Sequence, residues 1–279
     1  MGVAAAVATG LFASPGYTGA EPRASGTTGP YYVAIGASES LGVQPVASDH
    51  RDVPTNEGYA DDLSKMEQSR WPGLRLVGFG CPGITAQGAL DGQGTCRYAA
   101  GSEVATAVRF IGDHRGQVAL VTVDLGFNDL WPCLVHRSID AACVGRALHR
   151  ISVAVPAILA ALRAAGGPNL LIVGLEHADP YVAAARFGAE DFARASVSVF
   201  ERMNELLASD YGAADAAVAS VSVPRGESAG PDAVAAACER TWMCSDRNIH
   251  PTDAGYRVIA HAVALAIARA QASDIASGS

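Results

Sequence analysis

Charge is scarce in this chain. Asp, Glu, Lys and Arg make up 17% of its 279 residues, and the balance is acidic, a formal −8 with a pI near 5.3. No run of basic residues occurs. That absence excludes nucleic acid as a partner, because phosphate binding needs clustered Lys and Arg. No apolar run reaches the roughly 18 residues of a membrane-spanning helix, so no integral membrane span is expected. There is no C-x2-C pair and the seven histidines are scattered, which argues against zinc. Asp129 and Asp253 each stand as a single carboxylate, too few for a calcium cage. Neither a metal nor an organic cofactor is implied. Disorder is excluded as well, since 49% of the residues are hydrophobic.

What is present is a core-forming chain with a distinctive start. Residues Met1 to Pro30 carry an apolar block, Val3 to Ala13, followed by small residues, but no basic leader precedes it. This reads as a signal-peptide remnant or a flexible tail and is excluded from the fold. Six cysteines allow 15 connectivities; proximity along the chain suggests Cys81–Cys96, Cys133–Cys143 and Cys238–Cys244. Disulfides fit an oxidising compartment, so the protein is expected to be secreted or in the cell envelope.

From Tyr31 onward, short β-rich runs alternate with long Ala-rich amphipathic ones. The strand candidates are residues 31–36, 74–80, 118–126, 169–176 and 216–223. All are near-continuous apolar runs, as in strands covered on both faces. Helical stretches are expected near 56–70, 103–114, 140–165, 190–211 and 252–272. In the third, Ala147, Leu148, Ile151, Val155, Ile158, Leu159 and Leu162 mark one buried face. The alternation predicts parallel βαβ units in a three-layer α/β/α sandwich with a mostly five-stranded sheet. Residues 31–279 read as one domain and as a monomer. Ligands bind such sheets at the carboxyl ends of the strands.

Four short stretches with chemistry-bearing residues fall at those ends. The first is G-A-S-E-S-L-G (36–42), where Ser38 is either a nucleophile or a helix cap. The second is G-F-G-C-P-G-I-T (78–85), whose glycines let a backbone N–H approach a reacting oxygen. The third is G-F-N-D-L (126–130), offering the Asn128 carboxamide as an oxyanion donor or an Asx turn. The fourth is D-R-N-I-H-P-T-D-A-G-Y (246–256), offering His250 as a base.

This ordered set resembles the SGNH (GDSL-type) hydrolase family, over nearly all of residues 31–272. The G-C-P-G-x-T and H-P-T-D-A-G-Y stretches resemble its secreted actinobacterial branch. The resemblance implies a flavodoxin-like fold, Ser38 as nucleophile and first oxyanion N–H, and Gly83 as second donor, with Gly80 the weaker candidate. It also implies Asn128 as third donor and His250 as base, with Asp129 holding its loop. Two positions depart from the family. Ala37 stands where G-D-S has Asp, and Arg247 stands three before His250 where D-x-x-H has its acid. Asp246, four before, becomes the acid if the loop bulges by one residue; otherwise a backbone carbonyl orients the ring. The G-x-S-x-G elbow does not fit, because position 40 is serine.

The expected activity is that of a serine esterase or lipase on short to medium acyl esters of a small molecule, glycan or lipid. An acyltransferase acting on a sugar hydroxyl and a non-catalytic cell-envelope binding protein are the alternatives. Trp131, Tyr181 and Trp242 lie in loops that would wall the substrate, or simply anchor those loops.

Overall fold

A computed structural model describes residues 29–46, 51–221 and 229–277. Most of the expected leader, residues 1–28, lies outside that range. Five strands form one parallel sheet: β1 (Tyr31–Gly36), β2 (Arg75–Gly78), β3 (Val118–Asp124), β4 (Leu171–Leu175) and β5 (Ala217–Ala219), in the order β2-β1-β3-β4-β5. Each falls inside an expected run but is shorter than or equal to it. The excess residues of the longer runs form the turns that carry the site; residues 222 and 223 lie outside the described range.

The eight α-helices among the described residues are α1 (Tyr59–Met66), α2 (Ala86–Asp91), α3 (Glu103–Asp113), α4 (Phe127–Leu130), α5 (Ala141–Gly166), α6 (Glu190–Ala213), α7 (Pro231–Arg240) and α8 (Asp253–Ser277). Alternate strand residues point to opposite faces, and both faces are covered. Val33, Ile35, Val121 and Val123 face one core with Ile111, Ile151, Leu159 and Leu207 from α3, α5 and α6. Tyr32, Ala34, Leu120 and Val173 face the other with Leu63, Ile259, Val263 and Ile267 from α1 and α8. This explains why the strands do not alternate polar with apolar in sequence. Each fully buried Val, Leu or Ile contributes about 1.5–3 kcal/mol. Among the described residues one helix, α5, is long and apolar enough to cross a membrane. Its face Val144, Ala147, Ile151, Val155 and Leu159 is buried in the first core.

The helices α2 and α7 lie inside stretches whose Gly and Pro content predicts loops. They form because caps start them locally: the Thr85 side chain accepts from the Gly88 N–H, and Pro231 opens α7. All three cysteine pairs suggested by proximity are joined, Cys81–Cys96, Cys133–Cys143 and Cys238–Cys244.

Candidate active site

The strand order brings the first three stretches together. β1 lies between β2 and β3, so the turns that leave these strands are neighbours at one edge of the sheet. Backbone bonds hold them there. Phe79 and Cys81 N–H groups donate to the carbonyls of Ala34 and Gly36, each at 2.9 Å, and Ala37 N–H donates to Asp124 O at 3.1 Å. Gly80 is obligatory at this crossing, because a Cβ there would lie 3.2 Å from Ala37 O and 2.2 Å from Ser40 Oγ.

Ser38 precedes a single 3₁₀ turn, Glu39–Leu41, and its side chain makes no capping bond. Its carbonyl instead accepts the N–H groups of Leu41 and Val43. Ser40 is buried and its hydroxyl donates back to Ala37 O at 2.8 Å. Of the two serines, the structural bond therefore belongs to Ser40.

Gly83 sits in the Cys81–Ile84 turn at φ 77°, a left-handed conformation that favours glycine, and a Cβ there would meet nothing within 4 Å. Cys81–Cys96 ties down the start of that turn. Asn128 lies in α4 and its Nδ2 donates to Ile84 O at 3.1 Å, using one of two amide hydrogens. Next to it Asp129 is buried; its Oδ2 accepts the Ala86 N–H at 2.8 Å and its Oδ1 lies 3.8 Å from Arg150 Nε. Burial pushes the Asp129 carboxyl up to about 6, against the pull of Ala86 and Arg150. The second and third stretches are thus stitched to each other by consecutive side chains.

His250 arrives from the far end of the chain. Tyr256 Oη donates to Val43 O at 2.7 Å, and Gln44 Nε2 donates to Asp253 Oδ1 at 2.8 Å, so the start of α8 is fastened to the segment that follows Ser38. Trp242 frames the histidine loop: its N–H donates to His250 O, and its ring Nε1 donates to Gln44 Oε1 at 3.3 Å. An apolar cavity of about 60 Å³ lies between residues 178–182, helix α7 and the start of α8; Glu39, Ile249 and Pro251 line it, but Ser38, Gly83, Asn128 and His250 do not.

The partner of the imidazole differs from the sequence expectation. Asn248 Oδ1 accepts from both the His250 backbone N–H at 2.9 Å and ring Nδ1 at 2.8 Å. Asp52 Oδ1 accepts from Asn248 Nδ2 at 2.6 Å and lies 3.5 Å from Nδ1. The expectation put Asp246, or a backbone carbonyl, at this nitrogen. The loop does depart from regular geometry, with Arg247 at φ 57° and its guanidinium 3.2 Å over the Phe187 ring. That conformation brings a side-chain amide to the ring. Asn248 had a local signal, two residues before the histidine. Asp52 had none.

A second polar group went unread in the sequence. Glu39, Asp124 and His177 offer ligand atoms within 4.8 Å of one another. His177 Nε2 lies 3.2 Å from Leu125 O, while Nδ1 faces Glu39 Oε2 at 3.6 Å and Asp124 Oδ1 at 3.7 Å. Burial lowers the affinity of His177 for its proton, but Glu39 and then Asp124 outweigh it, raising it to about 9. Burial, then Glu39, push Asp124 upward. These three atoms could hold a cation, and a proton on Nδ1 meets the same electrostatic need.

The loop aromatics divide. Tyr181 is buried edge-on against Phe192, so it packs within the first core. Trp242 holds the histidine loop, and Trp131 is 48% exposed after α4.

A parallel sheet in this order with helices on both faces is a flavodoxin-like three-layer α/β fold. The family model described as "GDSL-like Lipase/Acylhydrolase family" matches residues 36–258, and the chain belongs to that family, which places it among ester hydrolases. Three solved structures share the fold. An acetylxylan esterase, Axe2, from Geobacillus stearothermophilus is 12% identical at TM-score 0.53, covering 85% of this chain and 94% of its own. TesA is 14% identical at TM-score 0.51, covering 86% and 99%. An extracellular lipase from Streptomyces rimosus is 16% identical at TM-score 0.50, covering 84% and 99%. No curated protein matches the chain.

Proposed function

We propose that this protein hydrolyses carboxylic esters through an acyl-enzyme on Ser38, within one catalytic domain spanning residues 31–279. The observation that carries this reading is the juxtaposition of the Ser38, Gly83 and Asn128 turns at one sheet edge, with the Ser38 side chain not engaged as a cap. Ser38 Oγ attacks the ester carbonyl and passes its proton to His250 Nε2. The Ser38 and Gly83 N–H groups and the second Asn128 amide hydrogen hold the oxyanion. The C–O bond to the leaving alcohol then breaks, and His250 returns the proton to that alcohol. Water repeats the sequence on the acyl carbonyl, releasing the acid and restoring Ser38.

Three disulfides support an extracytoplasmic location, and the G-C-P-G-I-T and H-P-T-D-A-G-Y stretches support the secreted actinobacterial branch. The test is direct. Wild type is expected to be labelled on Ser38 by a fluorophosphonate and to cleave p-nitrophenyl acetate, and Ser38→Ala to do neither. Full esterase activity in Ser38→Ala overturns the assignment.

A further inference from the structure

The family pattern leaves a gap in this chain, because Arg247 occupies the place of the D-x-x-H acid. We propose that Asn248 and Asp52 together fill it: the amide orients the His250 ring and the carboxylate behind it stabilises the charged ring during turnover. This rests on the serine-esterase reading of Ser38 and His250.

The hydrogen-bond directions fix the tautomer. Asn248 Oδ1 accepts a backbone N–H, which can only donate, and Asn248 Nδ2 faces a carboxylate, which can only accept. The amide is therefore locked with its oxygen toward the ring. Nδ1 at 2.8 Å from that oxygen must carry the proton, so the lone pair is left on Nε2, the base position. An amide orients a ring but brings no net charge. Asp52 supplies the charge, 3.5 Å from Nδ1. Burial raises the Asp52 carboxyl, yet its bond and attraction to His250 and its bond to Asn248 prevail and hold it below the usual range.

The architecture explains how an acid so distant in sequence reaches the base. Asp52 and Val53 pair antiparallel with Gln44 and Pro45, in the segment that begins at Ser38. Gln44 and Val43 from the same segment grip Asp253 and Tyr256 of α8. Nucleophile and orienting acid thus ride on one short ribbon clamped across the histidine loop. The Asp52 side chain is 43% exposed, so solvent screens it, and its contribution falls well below the roughly 10⁴-fold seen for a buried triad acid.

Both residues are positioning residues, and the experiment reads kcat and KM on p-nitrophenyl acetate together with the rate of fluorophosphonate labelling. Asn248→Ala is expected to lower kcat and labelling about 10²-fold or more with KM little changed. Asp52→Asn, at a half-exposed site that tolerates substitution, is expected to lower both about tenfold. The exchange variant Asn248→Asp with Asp52→Asn puts the carboxylate directly on Nδ1 and is expected to recover activity relative to Asn248→Ala. Asp246→Asn is expected to change either rate less than threefold. If Asp52→Asn and Asn248→Ala both stay within twofold of wild type, or if Asp246→Asn falls as far as Asn248→Ala, the inference is overturned. Absence of label on Ser38 in the wild type would instead sink the underlying reading, so the two failures are separable.

Discussion

Among the described residues two histidines each face a carboxylate within 4 Å, and they live in different surroundings. His177 is sealed, its side chain 1% exposed, with Glu39 and Asp124 turned toward Nδ1. His250 keeps 12% of its side-chain surface and meets an amide first and a half-exposed carboxylate second. In the sealed site two carboxylates and little water make a proton nearly permanent, because leaving either carboxylate uncompensated costs several kcal/mol. At the second site the carboxylate is half-exposed and an amide stands between it and the ring, so no sealed pair of opposite charges is built there. The same pair of side chains is a structural clamp in one place and a proposed base in the other, and burial makes the difference.

Exchanging the losses is the strongest way to break this comparison. His250→Ala should lower kcat at least about 10⁴-fold, measured on p-nitrophenyl acetate, while the melting temperature stays near that of wild type. His177→Gln should act in reverse. It strands the buried Asp124 carboxylate beside the partly exposed Glu39, at a cost of about 3–5 kcal/mol and a melting temperature roughly 10 °C lower by calorimetry. If His177→Gln instead abolishes kcat in a protein of normal stability, the comparison fails. Asn128→Ala should cost about 10²–10³ in kcat, as removal of one oxyanion donor does, and about 1 kcal/mol of stability for the lost bond to Ile84 O.

A pH titration sharpens the contrast. Burial lowers His177, but Glu39 and then Asp124 outweigh it and raise it to about 9, whereas burial itself raises Asp129 to about 6 and Asp179 to about 7. For Asp179 the bonds from Ser196, Tyr181 and Val182 pull the other way. A group with a folded value above its unfolded one stabilises fully below the unfolded value, and that stability is lost as pH rises through the folded value. The melting temperature should therefore decline from mildly acidic pH toward pH 9, the carboxyls acting first and His177 last. His177→Gln should flatten the final part of the decline. An unchanged slope above pH 8 in that variant would remove His177 from the account. The smallest effect is expected at Trp131, which is 48% exposed; Trp131→Ala should leave stability alone and change KM by no more than a few-fold.

The legibility of these features follows how local each cause is. Val33 and Ile35 on one face, with Tyr32 and Ala34 on the other, are written as an unbroken apolar run, and the run already implies helices on both sides of the sheet. Ser38, Gly83, Asn128 and His250 were legible as candidates because each ends or follows such a run in a short motif. Helices α2 and α7 were not, since their starts depend on a single cap within Gly- and Pro-rich surroundings. For Tyr181 the sequence leaves substrate wall and loop anchor both open, because loop position says nothing of burial, and its packing on Phe192 comes only with folding.

By itself the sequence determined the layered α/β architecture and the residue types at the strand ends and suggested the cysteine pairs that the structure joins, since periodicity, proximity and motif spacing are local properties. Only the tertiary structure decided that β1 stands between β2 and β3, that Ser40 rather than Ser38 carries the structural bond, and that Asp52 meets Asn248 across 196 residues. The reason is physical. A hydrogen bond between distant loops depends on how helices and strands pack, and it leaves no periodic trace in the chain that makes it.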